Sequence, residues 1–358
     1  MTKEEKYTDS EKYQREVAEQ YEKRVPKFSI EEVVGALQQL GIDVDPSGVT
    51  VAAVGNVNAT YLTPTLVIKI NRDKKSPDYV SNKVVSDKLG KEQPIVKVLS
   101  YDFFEKTDFE ILVMERSVGS LLLDDIFELE DKSKVVLFRQ VLATVNKLFE
   151  IQFENFGEVN TPNESYREYS GYLLHKFSES CQTIRAQNLC DKNDLAKIEE
   201  YFRKNIAVFD KETKPVFVHS DLHMGNILHQ GDKLTAILDF DCALKAPRVE
   251  ALTSLLGFID NPSQFVEGTK DFPEYKGKSF YNLLPVLRQE LPEVFSDKNL
   301  LKKLNLLFIG SALSWVADNW SADWNKELIA KVLDHELPDS EKGLESTYYG
   351  KILAHREE

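Results

Sequence analysis

The chain has 358 residues, 42% hydrophobic and 29% charged, a balance that suits a folded protein with room for two cores and excludes the disordered class. Its net charge of −14 argues against nucleic acid and anionic membranes as partners. Three cysteines without a Cys-x-x-Cys spacing exclude a disulfide scaffold and a cysteine-rich zinc site.

The charge is uneven, at −4 for residues 1–50, +1 for 51–118 and −11 for 119–358. The near-neutral middle suits a polyphosphate, and the acidic remainder either attracts a cationic co-substrate or serves only as a soluble surface. Apolar runs fall short of the roughly 18 residues of a membrane span. The Lys/Glu-rich start lacks a signal-like apolar region, so the cytoplasm is expected.

In chain order, residues 1–27 show Tyr13, Val17 and Tyr21 at helical spacing, a thin apolar stripe among charges. Ser29 with Glu32 forms a capping-box pattern ahead of Ile30, Val33, Val34, Leu37 and Leu40, and Gly41 ends that helix. Residues 49–54 read as a strand, 55–60 as a polar loop, and 66–70 as a strand buried on both faces except at Lys69. A lysine there is either a phosphate ligand or an edge-strand residue that snorkels to water. A helix over 79–89 and strands over 95–104 and 109–114 complete a small antiparallel sheet. The character changes at 115–119, which places the boundary between two domains, 1–118 and 119–358. Beyond it, helical periodicity dominates, with helices expected over about 135–149, 165–187, 191–209, 249–259, 279–296, 300–319 and 325–333.

The most informative stretch is His219-Ser220-Asp221-Leu222-His223-Met224-Gly225-Asn226, followed by Leu238-Asp239-Phe240-Asp241. Residues 227–229 and 234–238 are apolar, mostly β-prone runs around a turn. A hairpin centred between Asp232 and Lys233 sets Asn226 opposite Asp239, with side chains roughly 5 Å apart. An amide oxygen and a carboxylate so placed suit Mg²⁺, which takes a few protein oxygens and fills its other positions with water and phosphate. Asp221 then remains to accept a proton, as in the His-x-Asp-Leu-x-x-x-Asn plus Asp-Phe pattern of kinases.

These two segments resemble the aminoglycoside phosphotransferase and choline kinase family, whose usual wording is His-Gly-Asp-Leu-His-Pro-Gly-Asn and Ile-Asp-Phe-Asp. Ser220 stands for the glycine and Met224 for the proline. The resemblance spans about residues 50–255 and implies an α+β, bilobal protein-kinase-like fold, with a small antiparallel-sheet N-lobe and a larger, mostly helical C-lobe. It implies ATP or GTP with Mg²⁺ as cofactors and a small hydroxylated molecule, aminoglycoside-like or choline-like, as acceptor.

By the same resemblance, Lys69 meets nucleotide phosphates, the Glu115 carbonyl and Ser117 N–H read the base in front of Met114, and His219, Asp241 and Glu250 support the catalytic loop. Asn58 and Thr60 are candidate phosphate donors, although their loop holds one glycine and also reads as an ordinary turn. The helix glutamate that pairs with the strand lysine in kinases is missing. Its position falls at Asn82 or Lys83, so the register is off, another acid substitutes, or phosphates alone hold Lys69.

Three further readings stay open. Trp315, Asp318 and Trp320, with Asp323 and Trp324, form either an acceptor cage for a cation or core. A kinase-fold regulatory module without turnover is the alternative function. A zinc site from His219, His223 and Asp239 lacks the glutamate that such a spacing needs.

Overall fold

The alternation of β3, Leu66–Arg72, organises the N-terminal part. Ile68 and Ile70 are fully buried on one face against Val33, Leu37, Ile111 and Val113. Val67 and Lys69 point to the other face, where their cross-strand partners are Met114 and Leu112. The computed structural model describes residues 28–52, 59–72, 78–90, 93–104, 109–161, 163–265, 275, 277–319 and 321–355. The helix expected over 1–27, most of the 55–60 loop with Asn58, and Trp320 lie outside the described residues.

Five antiparallel strands form the first sheet in the order β1-β2-β3-β5-β4: β1 Thr50–Val51, β2 Ala59–Leu62, β3, β4 Val98–Phe104 and β5 Phe109–Glu115. Because β3 is central, the edge-strand account of Lys69 fails. The helix Ile30–Gln39 starts with the expected capping box, Glu32 N–H donating to Ser29 Oγ and Ser29 N–H to Glu32 Oε2. The helix Val80–Leu89 begins on a buried carboxylate: Glu110 of β5 accepts from Asp78 N–H at 2.8 Å and Tyr79 N–H at 2.9 Å. That contact joins the negative side chain to a helix N-terminus, as the helix dipole favours.

The C-terminal part is mostly helical, which gives the whole chain the expected α+β, kinase-like architecture. Asp131–Leu148, Tyr169–Gln187, Lys192–Asn205, Ala251–Asp260, Leu300–Ala317 and Ala322–His335 surround two small sheets. One sheet has the order β10-β9-β6, from β6 Ser120–Leu121, β9 Ile227–Gln230 and β10 Lys233–Ile237. The other has the order β7-β11-β8, from β7 Gly157–Glu158, β8 Val216–Val218 and β11 Leu244–Ala246. Pairing of Leu244 with Val218 sets the loop after β8 beside the loop before β11, and these are the two motif loops.

Several expectations need correction. The 279–296 helix is broken into a 3-10 turn, Leu284–Glu290 and Pro292–Phe295, because Pro292 cannot continue the first helix. Leu300–Ala317 has the length and hydropathy of a membrane span, contrary to the reading of short apolar runs, but 61% of it is buried inside the protein as a core helix. The hairpin register also differs. Gln230 pairs with Lys233 and His229 with Leu234, so the turn is Gly231-Asp232, one residue earlier than expected, and a bulge at Thr235 shifts the register once more. Leu238, not Asp239, therefore faces Asn226, and its N–H donates to the Asn226 carbonyl at 2.8 Å.

Candidate active site

The first motif loop leaves β8 at His219, whose buried ring sits 4.6 Å from that of Phe240. Its Nε2 lies 2.8 Å from the Leu238 carbonyl, which can only accept, so Nε2 carries the proton. Burial lowers the His219 pKa, which suits a neutral anchor between the two motif loops. Ser220 follows with φ +56, a left-handed conformation that costs a residue with a Cβ about 1 kcal/mol and that glycine adopts freely. This explains the glycine of the family pattern. Here the Ser220 hydroxyl donates to the Cys242 carbonyl at 2.6 Å, a bond glycine cannot make.

Met224 opens a 3-10 turn, Met224–Asn226, at the first position of which proline is also favoured. Gly225 is needed for close approach, since a Cβ there would lie 2.9 Å from His223 Cε1. His223 is pushed down to about 4 by burial and accepts the Gly225 N–H on Nδ1, so it is a neutral turn-former. Asn226 Nδ2 donates to the Asp221 carbonyl at 2.9 Å, which commits the amide nitrogen and leaves its oxygen as the atom suited to an ion. Burial raises the Asp221 carboxyl to about 6, yet its side chain is 46% exposed, so water limits that rise.

The second loop brings three charges together. Lys69 Nζ lies 2.8 Å from Asp239 Oδ1 and 3.1 Å from Asp241 Oδ2. Burial would lower the lysine, but the two carboxylates outweigh it and raise its pKa. Burial would raise Asp239, but the charge and hydrogen bond of Lys69 hold it down to about 2. Asp241, more enclosed, is pushed up to about 7 against the same lysine. Asp239 has φ +59, so it too holds a strained backbone of the kind concentrated at functional sites.

Asn82 Nδ2 donates to Asp241 Oδ1 at 2.7 Å. The place of the missing helix glutamate is thus filled from the other side: Asp241 supplies the acid, and the helix supplies an amide that holds it. Of the three options for Lys69, substitution by another acid is the one the geometry takes. Asn160 adds a contact that sequence reasoning missed. Its Oδ1 accepts the Ser81 N–H at 2.8 Å, and its Nδ2 reaches the Asp78 carbonyl at 2.5 Å and the Asp241 carbonyl at 2.6 Å.

Beside this cluster lies a small apolar cluster. Met114, Tyr79, Leu112, Val96 and Ala236 are buried together, with the half-buried Val67 of β3 and Leu228 of β9 packed against them. Val67 and Leu228 were not singled out from sequence, though the alternation of their strands contains the signal. Glu115 N–H donates to the Lys97 carbonyl and Arg116 N–H to the Thr65 carbonyl, so both are committed within the protein. Gly119 has φ +125 and its Cβ would fall 2.6 Å from the His229 carbonyl, so the segment after Ser117 turns where only glycine fits. Thr60 lies on β2 directly opposite Lys69.

Glu250 is buried and accepts the Tyr169 hydroxyl at 2.5 Å, which ties the start of the Ala251–Asp260 helix to the Tyr169–Gln187 helix. Its pKa is raised to about 7 by burial, opposed by that hydrogen bond. Trp315 is 41% exposed, with Trp324 6.4 Å away between ring centroids. Asp318 caps the C-terminus of the helix that carries Trp315. Among the described residues no group of three or more His, Cys, Asp or Glu side chains is placed to hold a metal ion, so the zinc arrangement of His219, His223 and Asp239 has no geometric support.

The sequence profile of the phosphotransferase enzyme family matches residues 51–280. No curated protein matches the chain significantly. Among solved structures, the chain is similar to the streptomycin-ATP ternary complex of APH(2")-IIa, with a TM-score of 0.61 and 14% identity over 86% of this chain and 97% of that one. The gentamicin complex of APH(2")-IIa gives a TM-score of 0.59 and 16% identity over 89% and 99%. A thermostable aminoglycoside phosphotransferase APH(4)-Ia with AMP-PNP and hygromycin B gives 0.58 and 13% over 83% and 97%. At such identities the likeness is one of fold.

Proposed function

The chain belongs to the phosphotransferase enzyme family, and from that premise we propose that it transfers the γ-phosphoryl group of ATP or GTP to a hydroxyl of a small molecule. The observation that carries this reading is the cluster of Lys69 with Asp239 and Asp241 beside the Asp221–Asn226 loop. Asp239, anionic and with its side chain 42% exposed, is the carboxylate open to an incoming dication. Asp239, anionic at neutral pH, and the amide oxygen of Asn226 are the groups to hold Mg²⁺, whose contribution is to neutralise phosphate charge.

Val67, Leu228 and Met114, which share one apolar cluster, would supply the apolar surface for the base. The Glu115 carbonyl and Ser117 N–H read its edge, because the N–H groups of Glu115 and Arg116 are already committed. Lys69 and Thr60 face the phosphates. Asp221 orients the acceptor hydroxyl and takes its proton as the new oxygen–phosphorus bond forms and the bond to the departing diphosphate breaks. Most of the acceleration comes from placement and charge neutralisation. His219, Asp241 and Glu250 hold these groups from behind. A division between nucleotide and acceptor parts at Val118–Gly119 is supported by the pairing of β6, just beyond it, with β9 and not with the first sheet.

A cationic, polyhydroxylated acceptor is favoured by the charge of −11 over residues 119–358, and the similar structures named above carry aminoglycosides. Trp315, Trp324 and Asp318 are the acceptor candidates within the described residues. The regulatory reading rested on the missing helix glutamate and on the single glycine of the 55–60 loop; Asp241 offers an acid to Lys69, and that glycine lies outside the described residues. A cytoplasmic location belongs to the same reading. Incubation with Mg-ATP or Mg-GTP and a panel of aminoglycosides, choline-like alcohols and sugars tests the function. A phosphorylated hydroxyl on at least one cationic acceptor is expected, and nucleotide binding without transfer to any would contradict it.

A further inference from the structure

We infer that Asn160 is a positioning residue for the nucleotide-phosphate site, through a polar clasp that stands in for the absent helix glutamate. Asn160 belongs to the C-terminal part, two residues after β7, and is 7% exposed. Its one side chain makes three hydrogen bonds, two to the start of the Val80–Leu89 helix and one to the backbone of Asp241. Asn82 from that same helix holds the Asp241 carboxylate. Two amides therefore converge on Asp241, one on its carbonyl and one on its side chain, and Asp241 holds Lys69.

The usual ion pair between strand lysine and helix glutamate lies within one lobe. Here the tie crosses between the two parts, because Asp241 and Asn160 lie beyond residue 118 while Asn82 and Lys69 lie before it. The helix is thereby referenced to the same segment that offers Asp239. An amide suits this place better than an acid would. Nδ2 must donate to two carbonyls while Oδ1 accepts an N–H, and only a carboxamide does both. A carboxylate would aim negative charge at two carbonyl oxygens.

The inference rests on reading Lys69 and Asp239 as the phosphate site, so its test uses one readout that needs no nucleotide. In nucleotide-free protein, Asn160→Ala should speed amide exchange across residues 78–82 by about tenfold or more, with β8 and the Asp131–Leu148 helix unchanged. The same variant should weaken Mg-ATP binding by about tenfold, while KM for the acceptor stays within about twofold. Asn160→Asp separates the clasp from simple packing. It keeps the acceptor for Ser81 N–H but loses both donors, so Mg-ATP binding should fall at least as far as in Asn160→Ala while the Ser81 amide stays protected. Asn160→Asp also carries the comparison should Asn160→Ala not fold. Nucleotide affinity within about twofold of wild type in a folded variant, or unchanged exchange at residues 78–82 in Asn160→Ala, would overturn the inference. A wild type that binds no Mg-nucleotide would instead sink the phosphate-site reading, and the exchange result alone would then decide the clasp.

Discussion

Asn82 donates to Asp241 at 2.7 Å, so the Val80–Leu89 helix reaches Lys69 through an interposed carboxylate. Restoring a glutamate at the helix position should therefore harm the site. Asn82→Glu sets two carboxylates side by side, and Mg-ATP affinity should fall by roughly tenfold, the scale of losing one hydrogen bond to a charged group. Adding Asp241→Asn in the same chain should recover part of the loss, since it removes the repulsion and lets the introduced glutamate pair with Lys69. Tighter nucleotide binding in Asn82→Glu alone would show that the relay has been misread.

Asp239→Ala removes the carboxylate that Lys69 holds down to about 2 and leaves Asn226 as an uncharged ligand. Calorimetry with ATP in the presence and absence of Mg²⁺ should show that the metal no longer strengthens binding. An unchanged Mg²⁺ effect would mean that the ion is held elsewhere.

Much of this was readable in the sequence. Lys69 stood out because a Val/Ile strand rarely buries a cation, and Asp221, Asn226 and Asp239 stood out through their spacing. The facing of Asn226 and Asp239 did not follow. It depended on a turn one residue earlier and a bulge at Thr235, and neither has a signature stronger than the polar run around it. Asn82 was located but not its partner, because a bond across 159 residues of sequence is a property of the folded chain. Asn160 carried no signal, since a lone asparagine after a short strand reads as a turn. Ser220 was seen as a substitution, and the φ that makes glycine usual there became visible only in the backbone.

Glu250 gives a pH signature. Its folded pKa, raised to about 7 by burial, lies above that of an unfolded glutamate. Its contribution is therefore fully present below the unfolded value, about 4.5, and is lost as pH rises through the folded one, by up to about 3 kcal/mol. Glu250→Gln removes that titration. The difference in melting temperature between variant and wild type should move in the variant's favour from about pH 5 to about pH 8, and a constant difference would show that Glu250 is ionised in the fold.

Ionic strength tests the acceptor. If an acidic C-terminal part steers a cation, the second-order rate for the acceptor should fall as the Debye length shortens from roughly 30 Å at 0.01 M to 10 Å at 0.1 M salt. Trp315→Ala should raise the acceptor KM with kcat less affected. A rate that ignores salt, or an anionic acceptor, would leave the acidic surface without a steering role.

The central claim is that Asp221 takes the acceptor proton and does not hold the nucleotide. Asp221→Asn tests it most directly, by Mg-nucleotide affinity and single-turnover phosphoryl transfer measured on one preparation. Affinity should stay within a few fold while transfer slows by at least about a hundredfold, the scale of a lost general base. Transfer near the wild-type rate, or a loss of nucleotide affinity as large as the loss of transfer, would contradict the assignment.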